Sequence, residues 1–199
     1  MNILIDILPT TVNIEGEDYE INSDFRTSIL FELLMQDPEL NHENKVIQVL
    51  QLYYSTIPKN INEAIEKILW FYRCGKDEIK SKNKGAGKTI QVYSYEYDDD
   101  YIYSAFLDQY GVDLQDMEYL HWWKFKAMFK SLKEDNELVK IMGYRVIDLG
   151  KIKDKEQKNY YKKMKELYKI PTNISKNEKE KLNKIEEILL NGGDLDKIL

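Results

Sequence analysis

Residues 93–145 read YSYEYDDDYIYSAFLDQYGVDLQDMEYLHWWKFKAMFKSLKEDNELVKIMGYR. This stretch holds two of the chain's three Trp, three of its six Phe and a dense run of Tyr. Asp98 is placed to cap a helix, with Asp99 and Asp100 where a helix N-terminus favours negative charge. Tyr101, Ile102, Ala105, Phe106 and Gln109 then recur at helical spacing, and Gly111 is a stop signal. Residues 112–115 form a short joint. A second helix is expected from Asp116 to about Lys133, carrying Met117, Leu120, Trp122, Trp123, Phe125, Ala127, Met128, Phe129 and Leu132. At about 100° per residue these positions spread round most of the wheel, so the helix is either buried or meets a partner. Lys124, Lys126, Lys130 and Lys133 fit its margins, stems on apolar surface and ammonium groups in water. Asn136 caps a third, short helix through Leu138, Val139, Ile141 and Met142, loosened by Gly143. The block is thus two or three consecutive helices at the middle of a hydrophobic core, where aromatic side chains contribute most.

Upstream, residues 12–21 alternate apolar and polar about a Gly16 turn, which predicts a β-hairpin. A lone hairpin persists only when packed on helices. Ser23 and Asp24 begin a helix with Phe25, Ile29, Leu30, Leu33 and Leu34 expected inward and Pro38 beyond its end. Asn41 caps the next, striped by Val46, Ile47, Val49, Leu50 and Tyr53. Asn60 and Glu63 resemble a capping box for a helix lined by Ile61, Ile65, Ile68, Leu69 and Tyr72 and ended by Gly75. Downstream, Tyr160, Tyr161, Met164, Leu167 and Tyr168 make an amphipathic stripe stopped by Pro171. Ser175 and Glu178 open a last helix with Leu182, Ile185, Ile188 and Leu189 inward. The fold class is therefore mainly α, a multi-helix bundle-like domain with one N-terminal β-hairpin. Four regions follow: 1–75 with the hairpin and its helices, 76–92 as a flexible loop, 93–150 as the aromatic core, and 151–199 as Lys-rich helices, expected to form one compact domain together.

Length and composition set the bounds. The chain has 199 residues, of which 43% are hydrophobic and 12% aromatic, enough to bury a core and too apolar for a disordered chain. The single cysteine, Cys74, allows no internal disulfide, as a reducing compartment would favour. No apolar run approaches the ~20 residues of a membrane span, and the opening MNILIDILPT does not read as a secretion signal. Residues 1–74 carry 5 basic and 12 acidic groups, net −7, and residues 151–199 carry 13 and 9, net +4, within an overall −6. An acidic body with a Lys-rich end is not the footprint of a dedicated nucleic-acid binder.

Motifs for chemistry do not assemble. Residues 85–89, GAGKT, imitate the end of a phosphate loop, but Lys82 stands where the first Gly is needed, and no buried strand precedes it. His42, His121 and Cys74 do not make a zinc site. Asp98, Asp99 and Asp100 suit a helix start better than a cation. Cys74 at the end of an aromatic helix reads as inert. No catalytic residue, metal ligand or cofactor site is expected, and the chain reads as a non-enzyme.

Several runs nevertheless carry a resemblance: YSYE at 93–96, the segment from Asp98 through YIYSAF at 101–106, QYGVDL at 109–114, LHWWKF at 120–125, IMGYR at 141–145 and DKEQK at 154–158. Together with the N-terminal hairpin and first helix they are similar to the bacteriophage "gene product fifteen" family. That family is encoded in the tail-gene clusters of long-tailed phages and prophages of Gram-positive bacteria, between the major tail protein and the tape measure protein. The resemblance implies a non-catalytic tail assembly chaperone acting in the host bacterial cytoplasm. It would bind the tape measure protein and help load tail-tube subunits, with the major tail protein and an upstream tail chaperone as further partners. A tape measure is expected to be a very long helical chain whose apolar stripes need cover before the tube encloses it, and an aromatic, Met-containing groove suits that task. Tyr119, Trp122, Trp123, Phe125 and Met128 are the residues expected to line such a groove or the core directly beneath it. The alternatives are a structural tail component retained in the virion, and a nucleic-acid-binding accessory protein using the Lys-rich end.

Overall fold

The computed structural model describes residues 1–76 and 90–171. Regular structure starts with β1 (Thr11–Ile14) and β2 (Glu17–Glu20), paired antiparallel with Val12 opposite Tyr19 and Ile14 opposite Glu17. Glu15 and Gly16 both take positive φ, 52° and 86°, the primed turn whose twist matches that of the strands it joins. Val12 and Ile14 face inward, and the hairpin packs on a helix as a lone hairpin must.

Seven helices follow among the described residues: α1 (Phe25–Gln36), α2 (His42–Tyr53), α3 (Ile61–Tyr72), α4 (Asp99–Tyr110), α5 (Trp122–Lys130), α6 (Glu137–Val146) and α7 (Lys155–Leu167). The protein is mainly α with a single two-stranded hairpin among the described residues. Short polar side chains start most of the helices. Asp24, Asn41, Asn60, Asn136 and Asp154 each accept a backbone N–H of the first turn, at 2.7–3.1 Å. That satisfies donors which have no partner within the helix. Gly111 ends α4 in the left-handed conformation at φ 63°, as anticipated. Gly143 does not end α6, which runs on to Val146.

Two expectations are corrected. The helix predicted from Asp116 begins only at Trp122, because the backbone before it is bonded sideways. Phe25 N–H donates to Leu120 O at 2.9 Å and Trp122 N–H to Ser23 O at 2.8 Å. Arg26 holds the carbonyls of Leu114 and Met117, each at 2.7 Å, and Asp24 accepts Leu120 N–H at 3.1 Å. These long-range partners outcompete the helical ones for the same groups. The second correction concerns facing. On α1, Thr27 and Ser28 are buried while Leu30 is exposed, and on α2 Ile47 is also exposed. The predicted loop at 76–92 falls for the most part outside the described residues, and so do GAGKT and the last helix predicted from Ser175.

The core centres on Phe125, which is fully buried. Its ring is stacked between Phe25 and Phe106 at 4.9 and 4.8 Å, interplanar angles 14° and 13°, with Trp122 stacked alongside at 5.6 Å. Phe25 comes from α1, Phe106 from α4 and Trp122 from α5 itself, so one side chain joins three elements. Offset stacking of this kind adds about 0.5–1.5 kcal/mol per pair beyond area burial.

Candidate functional site

The run LHWWKF begins with an unusual cap. His121 precedes α5, and its Nδ1 accepts Trp123 N–H at 3.0 Å. Nδ1 is therefore the bare nitrogen, and Nε2 carries the proton that it donates to Pro9 O at 3.0 Å. Burial holds this imidazole below its usual pKa, which suits a cap that works only while neutral.

The two tryptophans that follow finish a different helix. Trp122 Nε1–H donates to Tyr72 O at 2.9 Å and Trp123 Nε1–H to Phe71 O at 2.8 Å. Both carbonyls lie in the last turn of α3, where acceptors lack intrahelical donors. Trp122 also stacks on Tyr72 at 5.5 Å, and Trp123 meets Trp70 edge-on at 5.6 Å. The chain leaves α3 through Cys74 and Gly75 at φ 58° and 67°. A Cβ on Gly75 would lie 2.7 Å from Trp123 Cη2, so the indole fills the space that glycine leaves.

Lys126, one turn on, has its ammonium 5.0 Å above the Trp122 ring and 5.6 Å from that of Tyr93, whose hydroxyl accepts from it at 3.3 Å. Burial lowers the Lys126 pKa and pushes the Tyr93 hydroxyl up to about 12. Cationic charge on aromatic faces is a favourable placement for an ammonium drawn out of water. The Cys74 thiol is raised by burial, which keeps it a poor nucleophile.

The run ending in MGYR closes a second knot. Arg145 Nη1 and Nη2 reach the Asp98 carboxylate at 2.6 and 2.8 Å, with the two side chains 7% and 1% exposed. The same guanidinium binds Val92 O at 3.0 Å and Tyr168 O at 2.6 Å. Asp98 precedes α4 but makes no side-chain cap there. One of its oxygens accepts Ser94 N–H at 2.8 Å and the rest of its capacity goes to Arg145. Asp98 therefore stands where the sequence placed it with a different task. Tyr144 stacks on Tyr168 at 5.9 Å and touches Tyr160 and Tyr161, fixing α7 to α6.

The five groove residues are thus distributed. Trp122, Trp123 and Phe125 are core, at 0%, 4% and 0% exposure, and Met128 is half-buried with its carbonyl held by the Tyr110 hydroxyl at 2.8 Å. Tyr119 is exposed over its ring while its hydroxyl reaches Ser23 Oγ at 2.7 Å. The open apolar surface lies elsewhere. Leu4, Ile5 and Ile7 in the N-terminal arm are 79–92% exposed, and a cleft of about 350 Å³ runs between α1 and α2. A larger cavity of about 660 Å³ is bordered by Arg145, Lys162, Lys165 and Lys169 together with Ile90, Leu149 and Ile170. The apolar arm is visible in the sequence as NILIDIL, a run that no helix or strand pattern claims.

An aromatic hub, two polar knots and spare apolar surface define a mainly helical protein whose most distinctive side chains serve its own architecture. The chain belongs to the bacteriophage Gp15 protein family, whose model matches residues 4–170, a span that takes in every helix and strand among the described residues. Neither curated proteins nor solved structures yield a significant match.

Proposed function

We propose that this phage protein is a non-catalytic tail assembly chaperone that binds the tape measure protein and assists assembly of the tail tube. The observation that carries this reading is apolar surface left in water. Leu4, Ile5 and Ile7 stand 87%, 79% and 92% exposed, and Leu30 and Ile47 each 51%. Exposed apolar side chains gathered in patches mark a surface for another polypeptide. The alternative chemistry finds little support in the polar groups: His121 is occupied as a cap, and Asp98 and Arg145 neutralise each other. The site of action under this reading is the host bacterial cytoplasm before the tube closes, with the major tail protein and an upstream tail chaperone as co-assemblers.

Co-expression of this chain with the tape measure protein tests the proposal. A chaperone keeps the tape measure soluble and co-purifies with it, yet is missing from purified particles by mass spectrometry. Stoichiometric presence in the particle would instead make it a structural tail component. Retention on nucleic acid that falls steeply with added salt would favour the Lys-rich cavity and a nucleic-acid-binding accessory role.

A further inference from the structure

Helix α1 is inside out for part of its length. Thr27 and Ser28 lie in the core at 4% and 0% exposure, while Leu30 is 51% and Met35 46% exposed. Ser28 accepts burial because its Oγ meets the Tyr53 hydroxyl at 2.8 Å. A buried hydroxyl with such a partner costs little, but it does not explain why leucine occupies the outer face. Leu30, Leu33 and Leu34 fall at i, i+3 and i+4, so they form one stripe, with Leu30 exposed and Leu33 and Leu34 half-buried where they pack on the core. Across the cleft α2 offers Leu52 and Gln48, and Asp37, the residue that follows α1, also lines it. Its carboxylate stands at the C-terminal, partially negative end of α1. Glu39 and Glu43 follow close by in a region of net negative charge, where Lys45 is already bonded to Met35 O at 2.8 Å.

We propose that the cleft between α1 and α2 takes the apolar face of an amphipathic helix from another protein, with a basic residue of that helix set against Asp37. The apolar stripe supplies the contact, and the acidic end sets its direction, as in other helix-in-groove pairings. This inference rests on the binding role proposed above and names the surface that performs it.

Two labelled peptides of about 14 residues, four turns of helix, test it by fluorescence anisotropy. Both carry the same Leu stripe; one has Lys at its polar positions and the other Glu. The Lys peptide should bind the full chain and the Glu peptide at least tenfold more weakly. Leu30→Asp, at an exposed position that leaves the circular dichroism spectrum intact, should weaken the Lys peptide at least tenfold. Asp37→Asn keeps the acceptor that holds Glu39 N–H at 2.8 Å and should cost about threefold, an effect that disappears in high salt. Leu167→Asp, at an exposed position of α7, should leave affinity unchanged. Equal binding by Leu30→Asp and wild type, or an equal loss with Leu167→Asp, would overturn the assignment. If Leu30→Asp still co-purifies with the tape measure as wild type does, the cleft is wrong and the chaperone reading stands. If the Lys peptide binds in a Leu30-dependent way but the tape measure does not co-purify with wild type, the cleft stands and the client is another helix.

Discussion

Arg145 and Asp98 lie 47 positions apart in sequence and share one buried, bidentate contact. Removing one member of such a pair strands the other's charge away from water, which costs about 3–5 kcal/mol. Asp98→Ala should lower unfolding stability in urea by that order. Adding Arg145→Leu removes the stranded cation, so the double variant should lose at least about 1 kcal/mol less than the sum of the single losses. Additive losses would mean that the carboxylate and guanidinium act separately. His121 sets a pH dependence of its own. Its pKa is lowered in the folded state by burial, so the unfolded chain takes up the proton first as pH falls. The contribution is complete above the ordinary histidine value of about 6.5 and is eroded as pH drops from there towards the folded pKa. His121→Asn keeps an N-cap acceptor for Trp123 N–H and does not titrate. Wild type should therefore lose more stability than the variant between about pH 7.5 and pH 5.5, measured by urea unfolding at each pH. Parallel profiles would assign the acid sensitivity to carboxylates instead.

Helix α3 shows how an element is completed from outside itself. Its last carbonyls are held by indoles of α5, and its exit turn is shaped round one of them. Gly75→Ala combines a left-handed φ with a Cβ 2.7 Å from a ring carbon, and the backbone cost alone is about 1–2 kcal/mol. A drop of at least that size in thermal or urea stability is expected, with Trp123 fluorescence changed as the ring is displaced. A neutral Gly75→Ala would show that the turn has room to relax. The start of most elements was legible because it depends on neighbours in sequence: Asn41, Asn60 and Asn136 cap helices whose first-turn donors lie two or three residues on. The start of α5 was not, since it is decided by Ser23, Asp24 and Arg26, about a hundred positions away. The outward face of α1 was hidden for a similar reason, because Ser28 is buried on the strength of a hydroxyl in α2. Of the site, the aromatic run announced a core, and the three residues Trp122, Trp123 and Phe125 lie in it. The cleft flanked by Leu30 gave no separate signal, since an outward leucine and an inward one read alike in a helical stripe.

Across the whole molecule, the hairpin and α1–α3 on one side of residues 77–89 and α4–α7 on the other are joined through their most buried side chains. Phe125 stacks on Phe25 from the first half and Phe106 from the second. Residues 23–26 bond the backbone of 114–122, His121 reaches Pro9, and both indoles close α3. Separated, the first half would present Phe25 and Phe71 to water, and the second Trp122 and Phe125; each such ring is worth about 1.5–3 kcal/mol in burial. Losses of that size across several rings exceed what either half, with a stability of a few kcal/mol at most, can absorb. Unfolding of the intact chain should accordingly be one transition, with tryptophan fluorescence and far-ultraviolet circular dichroism coinciding in urea. Fragments 1–76 and 77–199 prepared separately should each lack near-ultraviolet circular dichroism from ordered aromatics, and should recover it when mixed at equal concentration. A fragment that folds cooperatively by itself would show that the aromatic hub is an interface between two domains and not the centre of one.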